Sequence, residues 1–129
     1  MQELLLLAAA GALGTISRYA LGGFTHKLLG QNFPYGTLAV NVAGCFLIGF
    51  LMHLGLSTTL LSRTARMALT IGFLGAFTTF SSFSYETIRL IEQGLWQGAL
   101  LNISANLILG LLATFGGLSL GRAIFGGAL

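Results

Sequence analysis

Residues 72–86 read GFLGAFTTFSSFSYE. This stretch lies in a sequence that is 55% hydrophobic and 7% charged. Yet it places Thr78, Thr79, Ser81, Ser82 and Ser84 around Phe80 and Phe83, and closes on a carboxylate, Glu86. Gly72 and Gly75 loosen a helix, and the hydroxyls of Thr78 and Thr79 compete for its backbone hydrogen bonds. A helix break is therefore expected here, near the middle of an apolar segment. At membrane depth, broken backbone is tolerated only where it is buried in protein or lines a cavity. Carbonyls freed by such a break suit a cation, as in the unwound segments of transporters. Beyond it, Phe80 and Phe83 are three apart and share a helix face, while Thr79, Ser82 and Glu86 form a polar stripe. Ring edges carry partial positive charge and can approach an anion. Hydroxyls can donate to one, whereas Glu86 would repel it unless protonated or turned away. Packing is the ordinary role of phenylalanine in a membrane helix, and spacing leaves both roles open.

Working outward, the whole chain of 129 residues has a mean hydropathy of +0.89. A spanning helix needs roughly 20 predominantly apolar residues. Four stretches qualify: Leu4 to Phe24, Gly36 to Leu56, Met67 to Ile91, and Leu95 to Leu120. The expectation is an all-α membrane protein, one four-helix domain over residues 1–129, with the third helix broken. Gln2 and Glu3 stand where a signal peptide would carry positive charge, so the first run reads as a retained helix. Cys45 is the sole cysteine, which excludes a disulfide within the chain. The net charge of +3 comes from scattered residues, with no basic tract to suggest nucleic acid.

Lysine and arginine in the connecting segments set membrane orientation. With four spans, one side collects Arg63, Arg66 and Arg122, and the other collects Lys27 and Arg89. So even a distribution allows insertion both ways, and two chains of opposite orientation would make an antiparallel homodimer. Four helices pack into a solid bundle with little room inside. A transport route would then run between or around subunits, with the inverted-repeat geometry of larger transporters. One fixed orientation is equally compatible with the charges.

Polar groups inside spans tend to face a bundle interior or a wet cavity. Arg18 lies deep in the first span, either snorkelling to headgroups or lining an aqueous vestibule. Asn41 follows Pro34, Tyr35 and Gly36 in the second. In the fourth, Asn102 and Asn106 are four apart and share a face, with Ser104 between them. Each amide can bridge helices or present N–H groups to an anion. His26 and His53 have no carboxylate spacing suited to a metal, and no nucleophile has an evident base, so no enzymatic reaction is expected. Tyr35 and Trp96 read as interfacial anchors. Hydroxyls, amides and ring edges without a deep lysine fit a small anion that binds weakly enough to leave again.

Taken together, the chain resembles the small bacterial Fluc fluoride channels, also called CrcB proteins, from end to end. The resemblance rests on Gly11, Gly14 and Arg18; Pro34, Gly36, Thr37, Asn41 and Gly44; the run from Gly72 to Glu86; and Asn102 with Asn106. It implies an antiparallel, dual-topology homodimer in the inner membrane of a bacterial cell, passively exporting fluoride and conferring resistance to it. By the same resemblance, Phe80 and Phe83 line the pore, Asn41 donates to the ion near a vestibule, and Ser81 and Ser82 belong to a polar track. Many relatives have threonine where this chain has Ser82, which keeps the hydroxyl. Arg18 lends the vestibule positive potential, and carbonyls of Gly75 and Thr78 from both subunits hold a structural sodium ion, Na+. The alternatives are a small dual-topology multidrug exporter, which would need an acid in the first span where Arg18 stands, and a non-transporting accessory subunit.

Overall fold

The computed structural model describes residues 1–127. Residues 128 and 129, which the single-domain expectation includes, lie outside the described residues. The first apolar run forms α1 (Gln2–Leu29). It ends at Gly30, whose N–H still bonds the His26 carbonyl and whose φ of 88° then turns the chain out of the helix. A short link, whose Phe33 ring lies tilted against that of Tyr35 with centroids 5.0 Å apart, leads into α2 (Tyr35–Ser57). Ser62 then caps α3 (Arg63–Met67), its Oγ accepting from the Ala65 N–H at 3.1 Å. A π-helical segment follows (Ala68–Leu74), then α4 (Gly75–Phe77), α5 (Phe80–Glu92) and α6 (Trp96–Phe125). Among the described residues there is no strand.

Four helical stretches are long and apolar enough to cross a membrane: Gln2–Leu29, Tyr35–Ser57, Arg63–Glu92 and Trp96–Phe125. The all-α, four-span expectation holds. Where the ends differ, the helices are longer than the apolar windows. The first runs on from Phe24 through Thr25, His26 and Lys27, and the fourth runs past Leu120 to take in Arg122. A helical ladder does not stop where hydropathy falls, because each added residue closes one more bond once the helix exists.

Between helices in lipid there is little hydrophobic drive, so contact comes from close packing at small residues. The closest pairing is α2 with α6. A methyl group on Gly49 would strike the Thr114 carbonyl, and one on Gly117 the Phe46 carbonyl, so the two backbones meet with no side chain between them. On the other flank, Gly14 of α1 lies against the Phe73 carbonyl. Val40, Leu74 and Phe77 form the buried centre where these helices converge, with Leu21, Ile48 and Phe73 packed around it. Most other large apolar side chains, among them Leu13, Ile16, Leu100 and Leu111, point outward. That arrangement suits acyl chains on the outside of the bundle.

Candidate functional site

The third span changes winding before it is interrupted. In the π-helical segment the turns widen, and the Gly75 N–H reaches five residues back to the Thr70 carbonyl. Helix α4 stops at Phe77. Thr78 (φ −89°, ψ 158°) and Thr79 (φ −149°, ψ 115°) are extended, and α5 starts at Phe80. Thr78 still belongs to the upstream ladder, since both its N–H and its hydroxyl bond the Leu74 carbonyl, at 3.0 and 2.9 Å. Thr79 belongs to the downstream helix. Its Oγ1 accepts from the Ser82 N–H at 3.2 Å and lies 3.1 Å from the Ser82 hydroxyl, which makes it the N-cap of α5.

Asn41 closes the interruption. Its Oδ1 accepts from the Thr79 N–H at 2.8 Å, and its Nδ2 donates to the Thr79 carbonyl at 3.0 Å and to Asn106 Oδ1 at 3.2 Å. In a continuous helix the Thr79 N–H would have gone to the Gly75 carbonyl. In the single chain both Asn41 N–H bonds are engaged, and the residue acts as a clasp on the break. Arg18 takes a second carbonyl freed by the break, its Nε donating to Ala76 O at 3.0 Å. Its side chain therefore ties α1 to the third span as well as bringing charge.

Around this clasp the expected residues divide between two pockets. Asn41, Gly75, Thr78, Phe80 and Phe83 line one of about 390 Å³, together with Cys45 and Asn106. The two rings face it with centroids 5.6 Å apart and planes tilted by 54°. Arg18 and Ser82 line another, of about 320 Å³, on the α1 side, with His26, Thr37 and Thr79. Ser81 lines neither; it is exposed, its hydroxyl 3.4 Å from Thr79 Oγ1. Phe80 is 79% exposed on the single chain.

Glu86 is turned away from the rings. It accepts from the Thr37 hydroxyl at 2.5 Å and lines a separate pocket with His26 and Arg89. Neither sequence pattern nor spacing announced this pairing, because the partners are 49 positions apart. Buried Thr87 was also missed. It sits one turn after Phe83 and receives a hydrogen bond from Asn102 at 2.9 Å. Its only advance sign was that i+4 spacing from a ring residue. Among the described residues no group of three or more histidine, cysteine or acidic side chains could hold a metal.

The chain's order of spans and the interrupted third helix can be set beside known proteins. A family model described as "CrcB-like protein, Camphor Resistance (CrcB)" matches residues 5–118. The chain belongs to the CrcB-like family. That match takes in most of every span of this CrcB-like protein, from early α1 to late α6, and the four spans make it a multi-pass membrane protein. A relative from Dehalococcoides mccartyi, named "Fluoride-specific ion channel FluC", is 55% identical over 124 residues, covering 96% of this chain and 95% of its own. A relative of the same name from Geobacter sulfurreducens is 50% identical over 124 residues, covering 96% of this chain and all of its own. One from Citrifermentans bemidjiense, again so named, is 45% identical over a stretch of the same length.

Proposed function

We propose that this chain is a fluoride channel subunit that passes the ion passively out of the cytoplasm, across the inner membrane of a bacterial cell. The observation that carries the reading is the near full-length similarity, at 45–55% identity, to relatives named as fluoride-specific channels. The site supports it. Fluoride must give up water to enter a narrow route, and ring edges of Phe80 and Phe83, with the hydroxyls of Ser81 and Ser82, replace that water with weak positive partners. Weak partners let the ion leave. Glu86, held by Thr37 and lining another pocket, does not oppose it.

The working unit is an antiparallel homodimer. In support, the single chain leaves Phe80 and Gly75 exposed beside the break, where a second copy would complete a pore wall. At that seam, Gly75 and Thr78 border the same pocket, and the Thr79 N–H that an unbroken helix would give to the Gly75 carbonyl goes to Asn41 instead. Neutral oxygens of this kind suit a hard cation, and sodium held there by both copies would supply positive charge to the seam.

The test is to reconstitute the pure protein in liposomes loaded with fluoride or chloride, with valinomycin and potassium balancing charge. Rapid loss of fluoride with negligible loss of chloride is expected. Retention of both ions would overturn the channel reading and leave the accessory-subunit alternative.

A further inference from the structure

A single run of hydrogen bonds joins the break to the aromatic pair by the long way round. It starts at the Thr79 N–H, passes through Asn41, crosses to Asn106 and Asn102 on α6, returns to Thr87 on α5, and ends on the Phe83 carbonyl. The steps measure 2.8, 3.2, 3.0, 2.9 and 2.7 Å. Its direction is set by chemistry. A backbone N–H can only donate, so Asn41 must turn Oδ1 toward Thr79 and Nδ2 toward Asn106. Asn106 then presents Oδ1 to Asn41, and its Nδ2 reaches both the carbonyl and the Oδ1 of Asn102. That leaves Asn102 Nδ2 to donate to Thr87 and the Thr87 hydroxyl to donate to Phe83. Every hydrogen bond is donated in the same sense along the run, and hydrogen bonds chained in this way polarise and strengthen one another.

Two members of the run lie away from the proposed ion route. Asn102 has 0% exposure and Thr87 has 6%, and neither borders the pocket of the two rings. Burying an amide and a hydroxyl so completely is costly unless both are satisfied. Here they satisfy each other, and the link joins the turn bearing Phe83 to the helix that braces Asn41.

We propose that Asn102 and Thr87 are positioning residues for ion selectivity: through the directed run from Thr79 to Phe83 they fix the pose of the Phe80–Phe83 pair against the helix break. The inference rests on the channel reading above. Removing the Thr87 hydroxyl cuts the run one step before the ring residue. The turn of α5 carrying Phe83 is then held by its helix ladder alone, and the gap between the rings loosens enough for a larger anion.

The experiment compares Thr87→Val, Thr87→Ser and Asn102→Ser with the unaltered protein in the fluoride and chloride efflux assay, with size-exclusion chromatography reporting assembly. In assembled Thr87→Val and Asn102→Ser the ratio of fluoride to chloride efflux should fall by about tenfold or more, in line with leaving a buried polar group unpaired. Thr87→Ser keeps the hydroxyl and should retain the ratio within about threefold. A wild-type ratio in either assembled cut variant overturns the proposal. So does an equal fall in Thr87→Ser and Thr87→Val, or failure of both cut variants to assemble, which would make the run an element of folding. The two readings fail separately: an unaltered protein that passes no fluoride overturns the channel itself, whereas one that passes fluoride beside indifferent variants overturns only the positioning.

Discussion

Glu86 and Asn41 show how one neighbour changes what a side chain can offer. A carboxylate beside an anion route is a barrier, but Glu86 takes the Thr37 hydroxyl and lines a pocket separate from that of the rings. An asparagine amide is a ready anion donor, but Asn41 has both N–H bonds occupied by Thr79 and Asn106. The ring edges proposed to meet an ion in the first pocket are those of Phe80 and Phe83. Replacing either ring by isoleucine keeps the apolar bulk and removes the polarised edge. Phe83→Ile and Phe80→Ile should each slow fluoride efflux by about tenfold or more, with the assembled protein unchanged by size-exclusion chromatography; tenfold is about 1.4 kcal/mol of barrier. Normal efflux from both variants would remove the rings from the mechanism.

At the scale of the element, α2 and α6 are held by the absence of side chains. Adding one methyl at Gly117 drives it into the Phe46 carbonyl, which cannot move without shifting the helix. Gly117→Ala should therefore destabilise the protein by about 1–3 kcal/mol, read as a lower unfolding temperature in detergent. Gly23 of α1 has nothing within 4 Å of the added methyl, so Gly23→Ala should leave the temperature unchanged or raise it. Equal losses in the two variants would mean that packing is not the cause. Local chemistry made much of this legible in advance. Spans followed from apolar runs, and Gly72, Gly75, Thr78 and Thr79 marked the stretch where the structure leaves the helix at Thr78 and Thr79. The pairing of Asn102 with Asn106 followed from i+4 spacing, and the structure joins them at 3.0 Å. Other features lay beyond reach because they depend on helices brought together by folding. Nothing in α5 says that Glu86 will find Thr37, and nothing in α1 says that Arg18 will cap Ala76. The widening of Ala68–Leu74 was also hidden, since its residues are compatible with an ordinary helix.

For the whole molecule, the proposed dimer and its sodium ion yield separate tests. Replacing sodium by a bulky organic cation on both faces of the liposome should reduce fluoride efflux, and efflux indifferent to the exchange would argue against the site. Near balance of basic residues between the two sides predicts that a protease site fused at the carboxyl terminus is cleaved from both faces of the native membrane. Cleavage from one face alone would rule out dual orientation. The wide-wound run, Ala68–Leu74, is seven residues long. In an ordinary helix each residue advances the azimuth by about 100°. Where hydrogen bonds reach five residues back, a turn holds more residues and each advances the azimuth less, so seven residues here cover about what six cover in an ordinary helix. Deleting one residue from this run, with a return to regular winding, would therefore leave Gly75, Thr78 and the rings facing nearly as they do, and the seam proposed for a second copy would keep its direction. The run is a place where the third span can lose a residue without turning its break away from that seam.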